Sequence, residues 1–455
     1  MRRAYSILLA FVVLWLGGCA TAPHNSKMCD IPLIPLEVDH PDLFGETSFA
    51  GVASGPSFEG LLARRLIPPR SDMSTPGASA SEKWLFLSGG SQKGSFGAGF
   101  LEGWGKPPGG LPDFDVVTGV SAGAILSTAA FIGDSNAPAA FFRGVEHESE
   151  VLTPYVKMRK GELATSSIPS LIRRNALGDL APMRGQLLDY LIRFRALERV
   201  AAKGKVLIAG RPQRKLLVGA VDLSSGKAVA FDLTQLAIDF DEAEDLELRK
   251  HLRECYADAI LASSSVPMAA RPVFLNNRLY VDGGARFGVF QTNLAQVLQA
   301  RAKQLKRGMI DAVPPPQIYL IVNGTQEVDA DCKKREAQCD EIRKPGIPVS
   351  VAHPKWSLLT VGGRSVSILI NQVYLFSVQA IQQANLLAFP KADGENFHFA
   401  RILPDAKDHP FGKRTCDQWH RFDQETLNPI EFHPNYMDCL VDYGSKQGEK
   451  ESWPD

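Results

Sequence analysis

VVTGVSAGAIL, Val116 to Leu126, sets Ser121 between two glycines directly after a run rich in β-branched residues. β-Branched side chains favour an extended strand, and the small residues after Ser121 suit a helix packed closely on a sheet. Gly119 and Gly123 lack Cβ atoms, so the backbone turns sharply and the helix starts close to the strand. A serine on that turn stands at a helix N-terminus, where free N–H groups and the helix dipole favour negative charge. In a chain with 39 glycines a G-x-S-x-G match alone says little. It becomes chemistry only with donors for an oxyanion and a base for the serine proton.

Upstream, LSGGSQKG runs from Leu87 to Gly94, again at the end of an apolar strand. Gly89, Gly90 and Ser91 offer consecutive backbone N–H groups to an anion, with Lys93 and Gly94 closing the loop. A phosphate loop is the rival, but G-x-x-x-x-G-K-[ST] does not fit, and GSFGAG, Gly94 to Gly99, falls inside the expected helix. A glycine turn that only packs is the plain alternative.

Downstream, LYVDGGARFG places Asp282 at the end of a strand, before Gly283 and Gly284. Aspartate before Gly-Gly is commonly a turn residue. Beside a serine in a dry pocket, however, its pKa rises toward a range useful for a base. The common order of a Ser-Asp-His triad would instead require a histidine after the serine, and His353, His398 and His409 are the candidates.

The remaining pattern alternates. WLFLS from Trp84, FDVVTG, KLLVGAVDL, KAVAFDL, PVFLNNRLYVD and QIYLIVN read as strands. Helices are expected after the glycine loop, with Phe96, Phe100 and Trp104 on one face, over Ala122–Phe131, near Leu246–Leu261 and Leu294–Leu305, and over Val361–Leu387. This predicts an α/β sheet with helices on both faces, followed by an irregular tail.

At the N-terminus, Arg2 and Arg3 precede ten apolar residues, Ile7 to Leu16, and then LGGC ends on Cys19. The run is too short to span a bilayer, which takes about 20 residues, and reads as an export signal. LGGC resembles a lipobox, with Cys19 acylated and Ala20 directing the product to the outer membrane of the cell envelope. The domain reading is a signal peptide at 1–18, a lipid-anchored tether at 19–83, a catalytic domain at 84–325 and a C-terminal extension at 326–455. Equal totals of 50 basic and 50 acidic residues give no global field toward nucleic acid. With 45% hydrophobic residues the chain is globular rather than disordered. In an oxidising compartment Cys332 with Cys339, and Cys416 with Cys439, are candidate disulfides. No C-x-x-C and no histidine pair at ligand spacing points to zinc, so no metal or other cofactor is expected.

LSGGSQKG, GVSAG and ASSSVPMAARPVFLNNRLYVDGG, with LLVGAVDLSSGKAVAFD between the last two, together resemble the patatin-like phospholipase family. The resemblance implies a three-layer α/β/α fold and hydrolysis of lipid acyl esters, phospholipid or lysophospholipid, without a metal. It implies a dyad, with Ser121 as nucleophile, Asp282 as base and the backbone near Gly89 and Gly90 as oxyanion hole. Two departures stand out: Ser91 replaces a third glycine, and ARFGVFQTN follows Gly283-Gly284 where relatives commonly continue with Asn and Pro. Rival functions are a triad lipase, an acyltransferase, and a lipid-binding envelope lipoprotein that keeps the fold without turnover.

Overall fold

A computed structural model describes residues 28–36, 57–66, 81–106, 108–159, 162–163, 174, 176–206, 212–290, 297–298, 315–325 and 358–450. The strands used below are β1 Leu33–Pro35, β2 Lys83–Leu87, β3 Val116–Val120, β4 Lys215–Asp222, β5 Ala228–Asp232, β6 Val273–Leu275, β7 Arg278–Asp282, β8 Gln317–Val322 and β9 Phe397–Arg401. The helices are α1 Phe58–Leu66, α2 Gly94–Trp104, α3 Ala122–Ile132, α4 Leu246–Ser264, α5 Leu358–Ala388, α6 Cys416–Thr426 and α7 Pro434–Glu449.

All nine strands join one sheet, in the order β1-β5-β4-β3-β2-β8-β9, with β7 also on β4 and β6 on β7. The centre is parallel, and β5, β1, β6 and β7 are added antiparallel, so the sheet is mixed. Side-chain alternation splits the core in two. Leu85, Leu87, Val117, Leu216 and Val218 face one layer, with α2, α3, α4 and α7. Trp84, Phe86, Val116, Val120 and Leu217 face the other, with α1 and the buried side of α5. Strands buried on both faces are apolar throughout, which is why WLFLS and VVTGV read as unbroken hydrophobic runs. The result is the three-layer α/β/α arrangement expected from the sequence.

Three expectations need correction. PVFLNNRLYVD is a hairpin, not one strand: Asn276 and Asn277 take φ of 49° and 59°, and Leu275 pairs with Arg278. Asparagine tolerates left-handed backbone, so Asn-Asn supplies the two-residue turn. The supposed tether contributes to the body, since β1 pairs with β5 and α1 buries Phe58, Leu62 and Leu66 in the core. Its residues 37–56 and 67–80 lie outside the described ones. The tail is not irregular: it holds β9, α6 and α7, and Cys416 is bonded to Cys439. A second disulfide, Cys29–Cys255, joins the segment before β1 to α4 across 226 residues, a pairing that spacing does not suggest. Cys332, Cys339 and most of Leu294–Leu305 lie outside the described residues, Val297 and Leu298 being helical and buried.

Candidate active site

Ser121 sits between β3 and α3 with φ 54° and ψ −123°, a backbone conformation that L residues rarely adopt. Such strain persists only where the surroundings over-determine it. The crowding is direct: a Cβ at Gly119 would stand 2.5 Å from the Gly123 carbonyl oxygen, and one at Gly123 would overlap the Leu87 carbonyl. The sharp strand-to-helix turn read in GVSAG is thus present, and both of its glycines are required by contact.

Sheet topology brings Asp282 to this turn. β3 pairs with β4 as far as Val120 opposite Gly219, then turns away at Ser121. On the same edge of β4, β7 takes the next position, with Asp282 opposite Ala220. Asp282 therefore arrives where the strand carrying Ser121 ends. Ser121 is 5% exposed and Asp282 3%. Burial pushes the Asp282 carboxyl up to about 7, against the Ser121 hydroxyl and the Gly284 N–H, which favour its ionised form. Gly284 N–H donates to Oδ1 at 2.6 Å, while buried Oδ2 has no hydrogen bond of ordinary geometry among the described residues.

The glycine loop lies against Ser121. A Cβ at Gly89 would stand 3.0 Å from Ser121 Cβ and 3.6 Å from Oγ. The Gly89 N–H, expected to face an oxyanion, instead donates to Gly288 O at 3.3 Å. The N–H groups of Gly90 and Ser91 have no acceptor among the described residues. Ser91 takes φ 51°, the left-handed region where glycine is at ease, and its side chain lies beside the buried Glu431 carboxyl, favouring its ionised form against the burial that raises its pKa. Lys93 N–H donates back to Gly90 O at 3.0 Å, closing a short 3-10 turn before Gly94 opens α2.

Several supporting residues were not singled out by sequence reasoning. Ser263 Oγ accepts the Ser121 N–H at 2.9 Å and donates to Gly219 O at 2.6 Å. Ser264 Oγ donates to Ser121 O at 3.1 Å, and Ser265 O accepts the Asp282 N–H at 2.9 Å. The three serines of ASSSVP, at the end of α4, thus grip both halves of the site. Asn323, just after β8, receives Gly97 N–H on Oδ1 at 3.0 Å and donates from Nδ2 to Ser88 O at 2.7 Å, fixing the loop's entrance. Gln92 Oε1 accepts from His433 at 3.1 Å (backbone N–H) and 3.0 Å (Nδ1), fixing its other end. Tyr374, on α5, is packed on Gly288 with its hydroxyl beside Gly89.

Two of the three histidines considered as alternative bases have other partners. His398 Nε2 is bonded to Gln317 at 2.7 Å and its ring stacks on Tyr319, and His409 Nε2 is bonded to Asp442 at 2.7 Å. His353 and Cys19 lie outside the described residues. One grouping of metal-type donors occurs among the described residues, Cys29, His251 and Cys255, but its two sulfurs are joined to each other.

No curated protein matches the chain. The family model described as Patatin-like phospholipase matches residues 85–292, a span that contains the glycine loop, the Ser121 turn, the three serines at the end of α4 and Asp282. The chain therefore carries a domain of the patatin-like phospholipase family over residues 85–292.

Proposed function

We propose that the protein is an exported lipid acyl hydrolase that works through a Ser121–Asp282 dyad. The observation that carries this reading is a strained serine at a helix N-terminus facing a buried carboxylate whose pKa is raised to about 7. As Ser121 Oγ bonds to the ester carbonyl carbon, Asp282 takes its proton, and the N–H groups of Gly90 and Ser91 hold the oxyanion. Collapse of the intermediate expels the alcohol, which leaves with the proton from Asp282. Water then releases the fatty acid with Asp282 again as base.

Export is supported by the N-terminal pattern and by two disulfides, which persist in oxidising compartments. Anchoring through Cys19 is the accompanying proposal, and incorporation of labelled palmitate that is lost in Cys19→Ala tests it. Among the described residues no helix is long and apolar enough to cross a membrane.

Fatty-acid release from mixed phospholipid micelles tests the activity. Release by the full chain that vanishes in folded Ser121→Ala and Asp282→Asn, and survives a chelator, is the expected result. No release from phospholipid, lysophospholipid or simple esters would instead point to a binding protein on the same scaffold.

A further inference from the structure

Gly288 does two things at the candidate site. Its carbonyl accepts the Gly89 N–H, withdrawing one donor from the glycine loop. It also seats the ring of Tyr374: a Cβ there would stand 2.8–2.9 Å from ring atoms Cγ, Cδ1 and Cδ2, so the phenol lies on bare backbone. The ring carries its hydroxyl to the face of Gly89 that looks toward Ser121. A Cβ at Gly89 would collide with Tyr374 Oη while standing 3.6 Å from Ser121 Oγ, so hydroxyl and nucleophile border one point. A Cβ at Gly284 would stand 3.7 Å from Tyr374 Oη and 3.0 Å from Asp282 Oδ1. Burial, and then the charge of Asp282, raises the pKa of the phenol, which stays a neutral donor across the range in which Asp282 titrates.

We propose that Tyr374 is a catalytic residue whose hydroxyl donates to the ester carbonyl oxygen as Ser121 attacks, supplying the donor that Gly89 withholds. The proposal rests on the hydrolase reading above. In the step itself the Ser121 proton goes to Asp282 and the carbonyl π pair moves onto oxygen. Tyr374 keeps its proton throughout, so its part is electrostatic stabilisation of charge that exists only beyond the ground state. Tyr374 lies outside residues 85–292, so the region after the matched domain contributes directly to the reacting centre.

Tyr374→Phe keeps the ring on Gly288 and removes only the oxygen. With a short p-nitrophenyl ester and a lysophospholipid, kcat should fall about 100-fold while KM changes less than about twofold, the pattern of a lost transition-state contact. Labelling of Ser121 by a fluorophosphonate should slow in parallel, because the phosphonyl oxygen occupies the same place. Gly288→Ala, which displaces the ring but keeps the hydroxyl, is the second variant, and the double substitution should lose no more than the worse single one. Wild-type kcat in Tyr374→Phe, or a raised KM at unchanged kcat, would overturn the inference while leaving the hydrolase intact. If the wild type neither turns over ester nor reacts with the fluorophosphonate, the hydrolase reading fails and this inference falls with it.

Discussion

If Asp282 is the base of the proposed dyad, it couples stability and activity with opposite signs. Its carboxyl goes from an ordinary value of 3.8 in the unfolded chain to about 7 in the fold, so the folded state binds the proton more tightly. The stabilisation from the neutral form is complete below about pH 4 and is lost as pH rises through about 7. Ionising the group in its buried site costs about 4 kcal/mol relative to the unfolded chain. A base must be ionised, so turnover should rise through about pH 7, while Asp282→Asn should melt higher than the wild type at pH 8.5 and lose most of that advantage only by about pH 4. A pH–rate profile of kcat/KM and paired melting curves check both halves. An acid limb near 4 would mean that Asp282 is not desolvated as the fold implies. That Ser121 and Asp282 stand at sharp turns was legible in the sequence because strand-to-turn chemistry is local: glycines lie on either side of Ser121 and directly after Asp282, and both follow apolar runs. Tyr374 and Ser263 were not, because each meets the site through contacts distant in the sequence, and an aromatic in a helix or a serine near its end ordinarily signals packing or capping. Gly89 was read correctly as part of the loop, yet its N–H is turned to Gly288, a partner no motif specifies.

Among the elements, the contact of α2 with α7 holds the glycine loop from behind. A Cβ at Gly99 would overlap the Val441 carbonyl and one at Gly103 that of Ser445, while Gly444 and Gly448 are pressed in the same way against the Phe96 and Phe100 carbonyls. The two backbones thus meet directly through a four-residue repeat on each helix. Since the overlapped atoms are backbone, relief requires the helices to separate, and Gly99→Ala should cost at least about 2 kcal/mol despite its better helix propensity. Urea unfolding monitored by circular dichroism measures this, and a neutral or stabilising Gly99→Ala would show that the helices are not in contact. The sequence revealed the aromatic face of α2 through its four-residue spacing but not this glycine face, since glycines in a helix carry no periodic hydrophobic signal. The tail escaped for a related reason. α6 and α7 are short, half-polar helices whose support comes from tertiary contacts, including the Glu148 carboxylate, which accepts the N–H groups of Ile430, Glu431 and Phe432 at 2.7–2.9 Å. Such helices look irregular in isolation.

At the scale of the whole molecule the question is where the folding unit ends. A boundary at residue 325 follows the motifs, whereas the sheet and both core layers continue beyond it. β9 covers the edge of β8 through five parallel pairs, Ile318 opposite Phe397 to Val322 opposite Arg401. α5 buries Val378, Ile381, Ala384 and Ala388 against the layer that contains Trp84 and Phe86. α7 packs on α2, and Cys416–Cys439 ties α6 to α7. A chain stopped at residue 325 would bare an apolar sheet face, a parallel edge strand and the glycine face of α2 together. Exposed edges and apolar patches of that kind drive aggregation. Removal of residues 326–455 is therefore expected to leave insoluble protein, and any soluble fraction should fail to label at Ser121 because the glycine loop has lost His433, Glu431 and Tyr374. Soluble yield and fluorophosphonate labelling of the truncated chain decide the matter. A soluble truncation that labels at the wild-type rate would make residues 326–455 an accessory, and would place all of the acyl-transfer machinery within the span that the motifs already mark.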